Sequence, residues 1–202
     1  MRVIASLRVE SVEDLLPGPG FCETIVSTLV EGAPYASPIG AAPAGRDAVE
    51  FRCFRGSTLF RALGPGHEIV INVCSDPRKF LDALLHRDRV RFVPSCLVRA
   101  PRVEGCEAYI EAVIESVRDS SEARWFRARA VLIEVAEPPR SYRRVLGLAI
   151  EALIELTRLR LGDAWGRARL IEEMCRRIEH LGEPDLAREI LEELRTRMER
   201  GG

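Results

Sequence analysis

Apolar and polar positions alternate through residues 22–54, which predicts a β-meander. Residues 22–29 carry β-branched side chains in an alternating pattern typical of a strand, and the Gly-Pro turn at 31–34 ends it. Residues 35–41 are predicted as the hairpin partner of this strand. After a second turn at 46–47, residues 48–54 are predicted as a third strand with Val49, Phe51 and Cys53 on one face.

The segment from residue 57 to 85 mixes helices and a strand. Ser57 is a good N-cap for a short helix through Leu63, which the Gly-Pro-Gly sequence at 64–66 stops. Residues 68–74, EIVINVC, are strongly β-branched and predict a strand. Asp76-Pro77 then begins a helix to about Leu85, because Asp caps well and Pro is tolerated in the first turn. The element order is therefore mixed rather than a regular βαβ repeat.

Two long alternating runs occupy residues 107–135 on either side of a turn at 119–121. This pattern predicts a β-hairpin whose apolar positions could close a barrel. An alternative is that the first of the two runs is helical.

Beyond Pro138-Pro139 the spacing of apolar residues changes to that of helices. A helix of about twenty residues carries leucines and isoleucines from Leu146 to Leu161, and two further helices follow the breaks at 162–163 and 182–185. We therefore predict an α+β fold of mainly β character, with a β-rich domain at 1–139 and a C-terminal helical subdomain at 140–202.

The overall charge and the cysteine spacing argue against nucleic-acid, membrane and metal partners. A formal net charge of -1 provides no strong positive field for nucleic acid or acidic membranes. No long uncharged apolar stretch occurs, and charged residues interrupt the first sixteen positions, so we expect a cytoplasmic protein without a membrane partner. The six cysteines form no C-x-x-C pair and the three histidines are far apart, which argues against a metal site. Whether any cysteines pair stays open.

Five segments occur in a characteristic order along nearly the whole chain: ETIVST, YASPIG, FRCFRGSTLF, IVINVCSDP and SYRRVLGLAIEALIELTRLRL. Together they resemble the mostly archaeal family called domain of unknown function 447, whose members are similar to flavin-reductase-type split barrels. The resemblance implies a six-stranded, FMN-binding split β-barrel with a C-terminal helical appendage. It also implies a homodimer that holds flavin mononucleotide (FMN) at or near the dimer interface.

The loop at Arg55, Gly56, Ser57 and Thr58 is the predicted phosphate site. Gly56 lets the backbone approach a ligand closely, and Ser57 and Thr58 offer hydroxyls beside the amides of a helix start. Arg55 or Arg52 can supply a charge-assisted fork. In the split-barrel flavin proteins a similar Ser/Thr loop holds the phosphate, and the resemblance carries that role to these positions. The alternative from the residues alone is an ordinary helix cap.

The second predicted contact is with the isoalloxazine ring. Ser37, Pro38, Ile39 and Gly40 are predicted to lie along the edge of the ring, since Pro38 leaves irregular backbone groups free and Gly40 has no side chain to block a flat ligand. The alternative from the residues alone is a proline-containing edge strand that binds no ligand. Asn72 stands among apolar residues and needs a partner if buried. It either contacts flavin or bridges two strands.

The function expected from this resemblance is that of an FMN-dependent oxidoreductase acting with a small-molecule substrate or electron donor. No catalytic residue is assigned, since a flavin carries the electron transfer and the protein positions it. The chain contains no G-x-S-x-G or P-loop sequence, so hydrolysis and nucleotide-triphosphate chemistry have no support. Two alternatives stay open: a non-catalytic module for flavin, deazaflavin or haem, and a cofactor-free dimeric interaction protein.

Overall fold

The structure is a computed structural model that describes residues 10–17, 20–136 and 144–201. Six long antiparallel strands dominate its first part. These are β1 (Cys22–Val30), β2 (Ala33–Pro43), β3 (Ala48–Phe54), β4 (Glu68–Val73), β7 (Ala108–Asp119) and β8 (Ala123–Val135). They form a closed barrel in the order β1-β2-β3-β8-β7-β4. The predicted six-stranded barrel is therefore confirmed.

Short elements precede or connect these strands. The helices are α1 (Val12–Leu15), α2 (Thr58–Ala62) and α3 (Pro77–Leu85), the last followed by a 3-10 turn at Arg87–Arg89. A separate two-stranded ribbon pairs β5 (Phe92–Val93) with β6 (Arg102–Val103). The sequence analysis did not predict this ribbon, because two-residue strands are too short to show a periodic pattern.

Local sequence explains the hairpins of the barrel. Val30 pairs with Ala33, so the β1–β2 turn has only two residues, Glu31 and Gly32, with φ angles of 51° and 82°. Two positive φ angles in succession match the twist of the flanking strands, and glycine adopts the second without steric conflict. The 107–135 region is the predicted hairpin. Its first run is strand β7, so the helical alternative for this run is wrong.

Alternate residues of each strand fill the barrel. Phe51 stacks on Phe126 with ring centroids 5.1 Å apart, and Val26, Ile71 and Ile110 are fully buried around them. Residues one position away, such as Arg52 and Phe54, lie on the opposite face. Burial raises the pKa of the Cys53 thiol to about 12, so this cysteine behaves as a small apolar core residue. All six cysteines are free thiols.

A buried ion pair fixes the loop before β6 to the outside of the barrel. The fully buried Glu111 of β7 accepts hydrogen bonds from the backbone N–H groups of Cys96 (2.7 Å) and Leu97 (2.6 Å). It also accepts one from Arg102 Nε at 2.8 Å. Arg102 in turn reaches Glu134 at 2.9 Å. Burial by itself would raise the pKa of Glu111, but the two N–H groups and the guanidinium together lower the pKa below its ordinary value.

The last part of the described chain is helical, with α4 (Arg144–Thr157), α5 (Ala164–His180) and α6 (Pro184–Gly201). The residues form two compact units, one built from the barrel and one from these helices together with residues 75–81. The boundary predicted between residues 139 and 140 lies outside the described residues and stays a prediction. Across the described part of the chain, no helix has both the length and the apolar character needed to cross a membrane.

Candidate functional site

The loop from Arg55 to Thr58 is open to solvent at the end of β3. Backbone hydrogen bonds hold it, from Arg55 N–H to Glu122 C=O at 3.0 Å and from Ser57 N–H to Phe54 C=O at 3.2 Å. Gly56 is exposed with a φ of 87°, and a Cβ placed there would meet no atom within 4 Å. The predicted phosphate loop is therefore neither packed shut nor covered by another part of the described chain.

Ser57 has the geometry of a helix cap. Its hydroxyl oxygen accepts a hydrogen bond from Phe60 N–H at 3.2 Å, at the start of α2. The alternative that Ser57 is an ordinary helix cap therefore accounts for the hydrogen bond that its hydroxyl oxygen accepts. The hydroxyl proton is still able to donate, and the first N–H groups of a helix have no partner within the helix. Capping and anion contact are thus compatible at this position.

Arg55 is anchored at the loop but keeps hydrogen-bond donors. Its Nε donates to Ser121 C=O at 2.7 Å and one Nη donates to Ser120 C=O at 3.3 Å, which ties the loop to the β7–β8 turn. A guanidinium has five N–H donors, so these two bonds leave others for an anion. Arg124 also braces this region, since it donates to Phe60 C=O at 3.0 Å and pairs with Asp119 at 2.7 Å. Sequence reasoning missed Arg124.

Arg52 lies on the outer barrel face among three aromatic rings. Its guanidinium carbon is 5.4 Å from the ring centroid of Phe21, 5.1 Å from Phe54 and 5.5 Å from Trp125. Phe21 is 43% exposed and Phe54 55% exposed, both unusual for phenylalanine. We call these four residues the aromatic surface; it continues along the chain through Phe54 into the Arg55–Thr58 loop. The strand period places Arg52 and Phe54 outward, but the sequence does not show that Phe21 and Trp125 join them.

The strand segment from Ser37 to Gly40 is divided between the two faces of the barrel. Ser37 and Ile39 lie opposite Val26 and Thr24 on the inner face, whereas Pro38 and Gly40 lie on the outer face. β2 pairs with β1 along residues 33–41 but with β3 only at residues 41–43. Among the described strands, the other edge of β2 at 37–40 thus has no pairing partner, as expected for a barrel that is split at this place.

The space beside Gly40 is filled in this structure. A Cβ built on Gly40 would lie 3.2 Å from the Cβ of Phe21. The sequence analysis predicted that Gly40 has no side chain to block a flat ligand; in this structure the side chain of Phe21 lies over the glycine, and the predicted ring contact stays a prediction. A planar ligand at this edge would therefore meet Phe21 before it met the backbone of Gly40.

Asn72 is buried and fully engaged in holding strands together. Its amide nitrogen donates to Ile25 C=O at 2.8 Å and to Ser27 Oγ at 2.9 Å, and its amide oxygen accepts from Val103 N–H at 2.8 Å. Its exposed fraction is 0%. These bonds match the strand-bridging alternative and leave no polar atom of this side chain directed at a ligand. Within the described residues, no group of three or more His, Cys, Asp or Glu side chains is arranged to hold a metal.

Comparison with solved structures shows which proteins share this fold. The FMN-bound protein MM1853 of Methanosarcina mazei, itself assigned to DUF447, superposes with a TM-score of 0.70 at 19% identity, covering 91% of this chain and 98% of that one. Flavin reductase HpaC complexed with NADP+ gives a TM-score of 0.51 at 13% identity, covering 65% of this chain and 88% of that one. A putative oxidoreductase of Sinorhizobium meliloti 1021 gives a TM-score of 0.50 at 14% identity, covering 67% of this chain and 54% of that one.

The sequence comparison identifies the family. No curated protein matches the chain. Residues 22–137, which include all six barrel strands, match the family model described as the protein of unknown function (DUF447) N-terminal domain. This match covers more than half of the chain, and the fold agrees with that of a solved protein assigned to the same family. The chain therefore belongs to the DUF447 family.

Proposed function

We propose that this protein binds FMN on the outer face of its barrel and acts as a flavin-dependent oxidoreductase. The observation that carries the proposal is the open loop at Arg55–Thr58, which runs directly into the exposed aromatic surface. The loop offers hydrogen-bond donors to a phosphate, and the aromatic surface offers a flat apolar face to a ring. The FMN-bound state of the similar DUF447 protein supports this assignment.

The donors at the loop fit a phosphate dianion. Ser57 and Thr58 supply hydroxyl groups, Gly56 leaves room for close approach, and Arg55 supplies a partly free guanidinium. Arg52 adds a second positive charge from the neighbouring strand. These side chains would bind and orient the phosphate end of the cofactor.

The strand edge and the aromatic surface fit the ring. Backbone groups at the unpaired edge of β2 would hydrogen-bond the ring through main-chain atoms, and Phe21 and Trp125 would cover its face and exclude water. A bound flavin supplies hydride and electron transfer. The task of the protein is to hold the ring beside a donor or substrate. We place no catalytic side chain, and Asn72 keeps its structural role in this proposal.

We further propose that the protein forms a homodimer through the same outer face. Exposed phenylalanines next to a split in a barrel are typical of an interface, because a monomer would leave them in water. A partner subunit would cover the aromatic surface and complete the wall of the cofactor site. The cytoplasmic location expected from the sequence stays a prediction.

Titration with FMN and riboflavin tests the cofactor and its phosphate contact separately. The two ligands share the ring, and only FMN carries the phosphate. We expect quenching of flavin fluorescence with both, and at least tenfold tighter binding of FMN, since hydrogen bonds to charged groups are worth about 1.5–3 kcal/mol. Equal affinities would remove the phosphate assignment. Absence of binding by a folded protein would remove the flavin proposal.

Anaerobic stopped-flow reduction separates an oxidoreductase from a flavin carrier. The flavin-loaded protein is mixed with reduced nicotinamide dinucleotides, and bleaching of the flavin absorption band is followed. An enzyme of the proposed kind is reduced in a saturable reaction. A carrier keeps its flavin oxidised, and that result would replace the oxidoreductase proposal by the non-catalytic alternative.

A further inference from the structure

The helical unit contains a cleft lined by positive charge. The cleft has a volume of ≈ 630 Å³ and lies between the start of α4 and the end of α5. Arg144 comes from the start of α4, Arg177 and His180 come from the last turn of α5, and Arg176 directly precedes that turn. Gly147, Leu148 and Leu181 supply apolar lining. We call this feature the cationic cleft.

The arginines of the cationic cleft have no acidic partner. Within the described residues, none of these three guanidinium groups forms an ion pair or a side-chain hydrogen bond. Five other arginines of the same unit have carboxylate partners, namely Arg78, Arg158, Arg167, Arg188 and Arg197, whereas Arg160, Arg169 and Arg195 have none within the described residues. Among the described residues that line the cleft there is no aspartate or glutamate. The sequence instead places three unpaired arginines around one concavity.

Helix electrostatics account for only part of this arrangement. Positive side chains in the last turn of a helix interact favourably with its dipole, which explains one or two of the charges on α5. Arg144 lies at the opposite end of its own helix, where a positive charge is unfavourable. Its presence opposite Arg176 and Arg177 brings like charges together, and such an arrangement is stabilised when an anion lies between them.

We propose that the cationic cleft binds a phosphate group carried by a small organic molecule. Guanidinium groups bind phosphate oxygens through paired N–H donors, and three such groups suit a dianion better than a single carboxylate. Leu148 and Leu181 provide apolar contact for the organic part of the ligand. The volume is that of a small-molecule site. The proposal is independent of the flavin site, because all lining residues belong to the helical unit.

Titrations with inorganic phosphate and phenyl phosphate test the proposal on the full-length protein. Backbone amide shifts in the last turn of α5 report binding at the cleft, separately from any signal at the barrel loop. We expect saturable shifts there with both probes and tighter binding of phenyl phosphate, because its ring contacts the apolar lining. In the double variant R176A/R177A the affinity should fall at least tenfold.

A matched double variant controls for general charge effects. Arg160 and Arg169 are exposed, are not among the residues that line the cleft, and have no ion pair within the described residues, so R160A/R169A removes the same charge elsewhere. This control should bind phenyl phosphate as the native protein does. An equal loss in both double variants would overturn the proposal, as would unchanged binding by R176A/R177A with native circular dichroism.

Two further outcomes concern the identity of the ligand. Tighter binding of inorganic phosphate than of phenyl phosphate would restrict the site to the free anion and overturn the assignment of an organic ligand. A single-stranded oligonucleotide that binds the same amides more tightly than phenyl phosphate, with a steep salt dependence, would overturn the small-molecule assignment in favour of nucleic acid.

Discussion

At the scale of single residues, Gly56 and Glu111 show how one side chain, or the lack of one, decides a local structure. Gly56 has a left-handed backbone with open space around it, and Glu111 is a buried carboxylate held by three donors. The first is placed to admit a ligand and the second to fix a loop. Each leads to a substitution with a distinct result.

Replacing Gly56 with alanine should weaken FMN binding by more than it weakens the fold. The added Cβ meets no protein atom, so only the positive φ is strained, at about 1 kcal/mol. The methyl group would stand where the phosphate approaches. Gly66→Ala is the matched control, because Gly66 has a φ of 82° and equally open surroundings.

Chemical denaturation and flavin titration of both glycine variants check this prediction. We expect similar losses of unfolding free energy, and a fall in FMN affinity of tenfold or more in Gly56→Ala only. An FMN affinity that is lowered equally by the two substitutions would contradict a phosphate site at Gly56.

Replacing Glu111 with glutamine should destabilise the protein by about 3 kcal/mol at neutral pH, since Arg102 would lose its buried partner. Glu115→Gln is the control, because its pair with Arg129 is exposed and should change stability by less than about 1 kcal/mol. Chemical denaturation would measure both effects as shifts in the midpoint concentration of denaturant, provided that the dependence of the unfolding free energy on denaturant is unchanged. Equal losses in the two variants would show that burial of the Glu111 pair has no special role.

The same substitution should change the acid sensitivity of the fold. The pKa of Glu111 is lowered from its ordinary value of 4.5, so its ionised form adds stability above that pH and loses it as the pH falls through the lowered value. The unfolding free energy of Glu111→Gln should therefore fall less steeply than that of the native protein below about pH 4.5. Parallel pH profiles would contradict this linkage.

At the scale of elements, α2 connects the stability of the barrel rim with the proposed phosphate contact. The helix has only five residues, and Ser57 caps it through Phe60 N–H. Arg124 makes a further contact with α2, because it donates a hydrogen bond to Phe60 C=O. A substitution at Ser57 can therefore separate capping from anion binding.

Ser57→Asp should preserve the helix cap but weaken FMN binding. Aspartate caps helices about as well as serine, whereas Ser57→Ala should lose about 1 kcal/mol of stability. The new carboxylate would repel phosphate, so FMN affinity should fall well below riboflavin affinity. Thermal unfolding and flavin titration of both variants give the result. Unchanged preference for FMN in Ser57→Asp would place the phosphate elsewhere.

At the scale of the whole molecule, the exposed aromatic surface predicts a dimer. Phe54→Arg should shift the protein toward the monomer in sedimentation velocity, because it introduces charge into the proposed interface. Trp165→Arg is the control, since Trp165 is 74% exposed on the helical unit and outside that surface. A monomeric native protein, or equal dissociation by both variants, would contradict the proposed interface.

Local patterns in the sequence were enough to predict the helices and strands of this protein. Alternation of β-branched residues located the six barrel strands, and apolar spacing located the three C-terminal helices, because both patterns are local and repeat over many residues. The Gly-Ser-Thr loop could also be predicted from the sequence, because the flexible glycine and the two hydroxyl side chains are adjacent in the chain. The order of segments carried the family resemblance that the match at residues 22–137 confirmed.

Which residues far apart in the chain come into contact is known from the folded structure alone. Closure of the barrel pairs β1 with β4 and β3 with β8, and the β3–β8 pairing brings Trp125 beside Arg52. The register of β1 against β2 brings Phe21 over Gly40. The Glu111–Arg102 pair and the grouping of residues 75–81 with the C-terminal helices likewise depend on packing. Such contacts have no repeating signal in the chain, because they follow from burial and from long-range register rather than from the preference of any one residue.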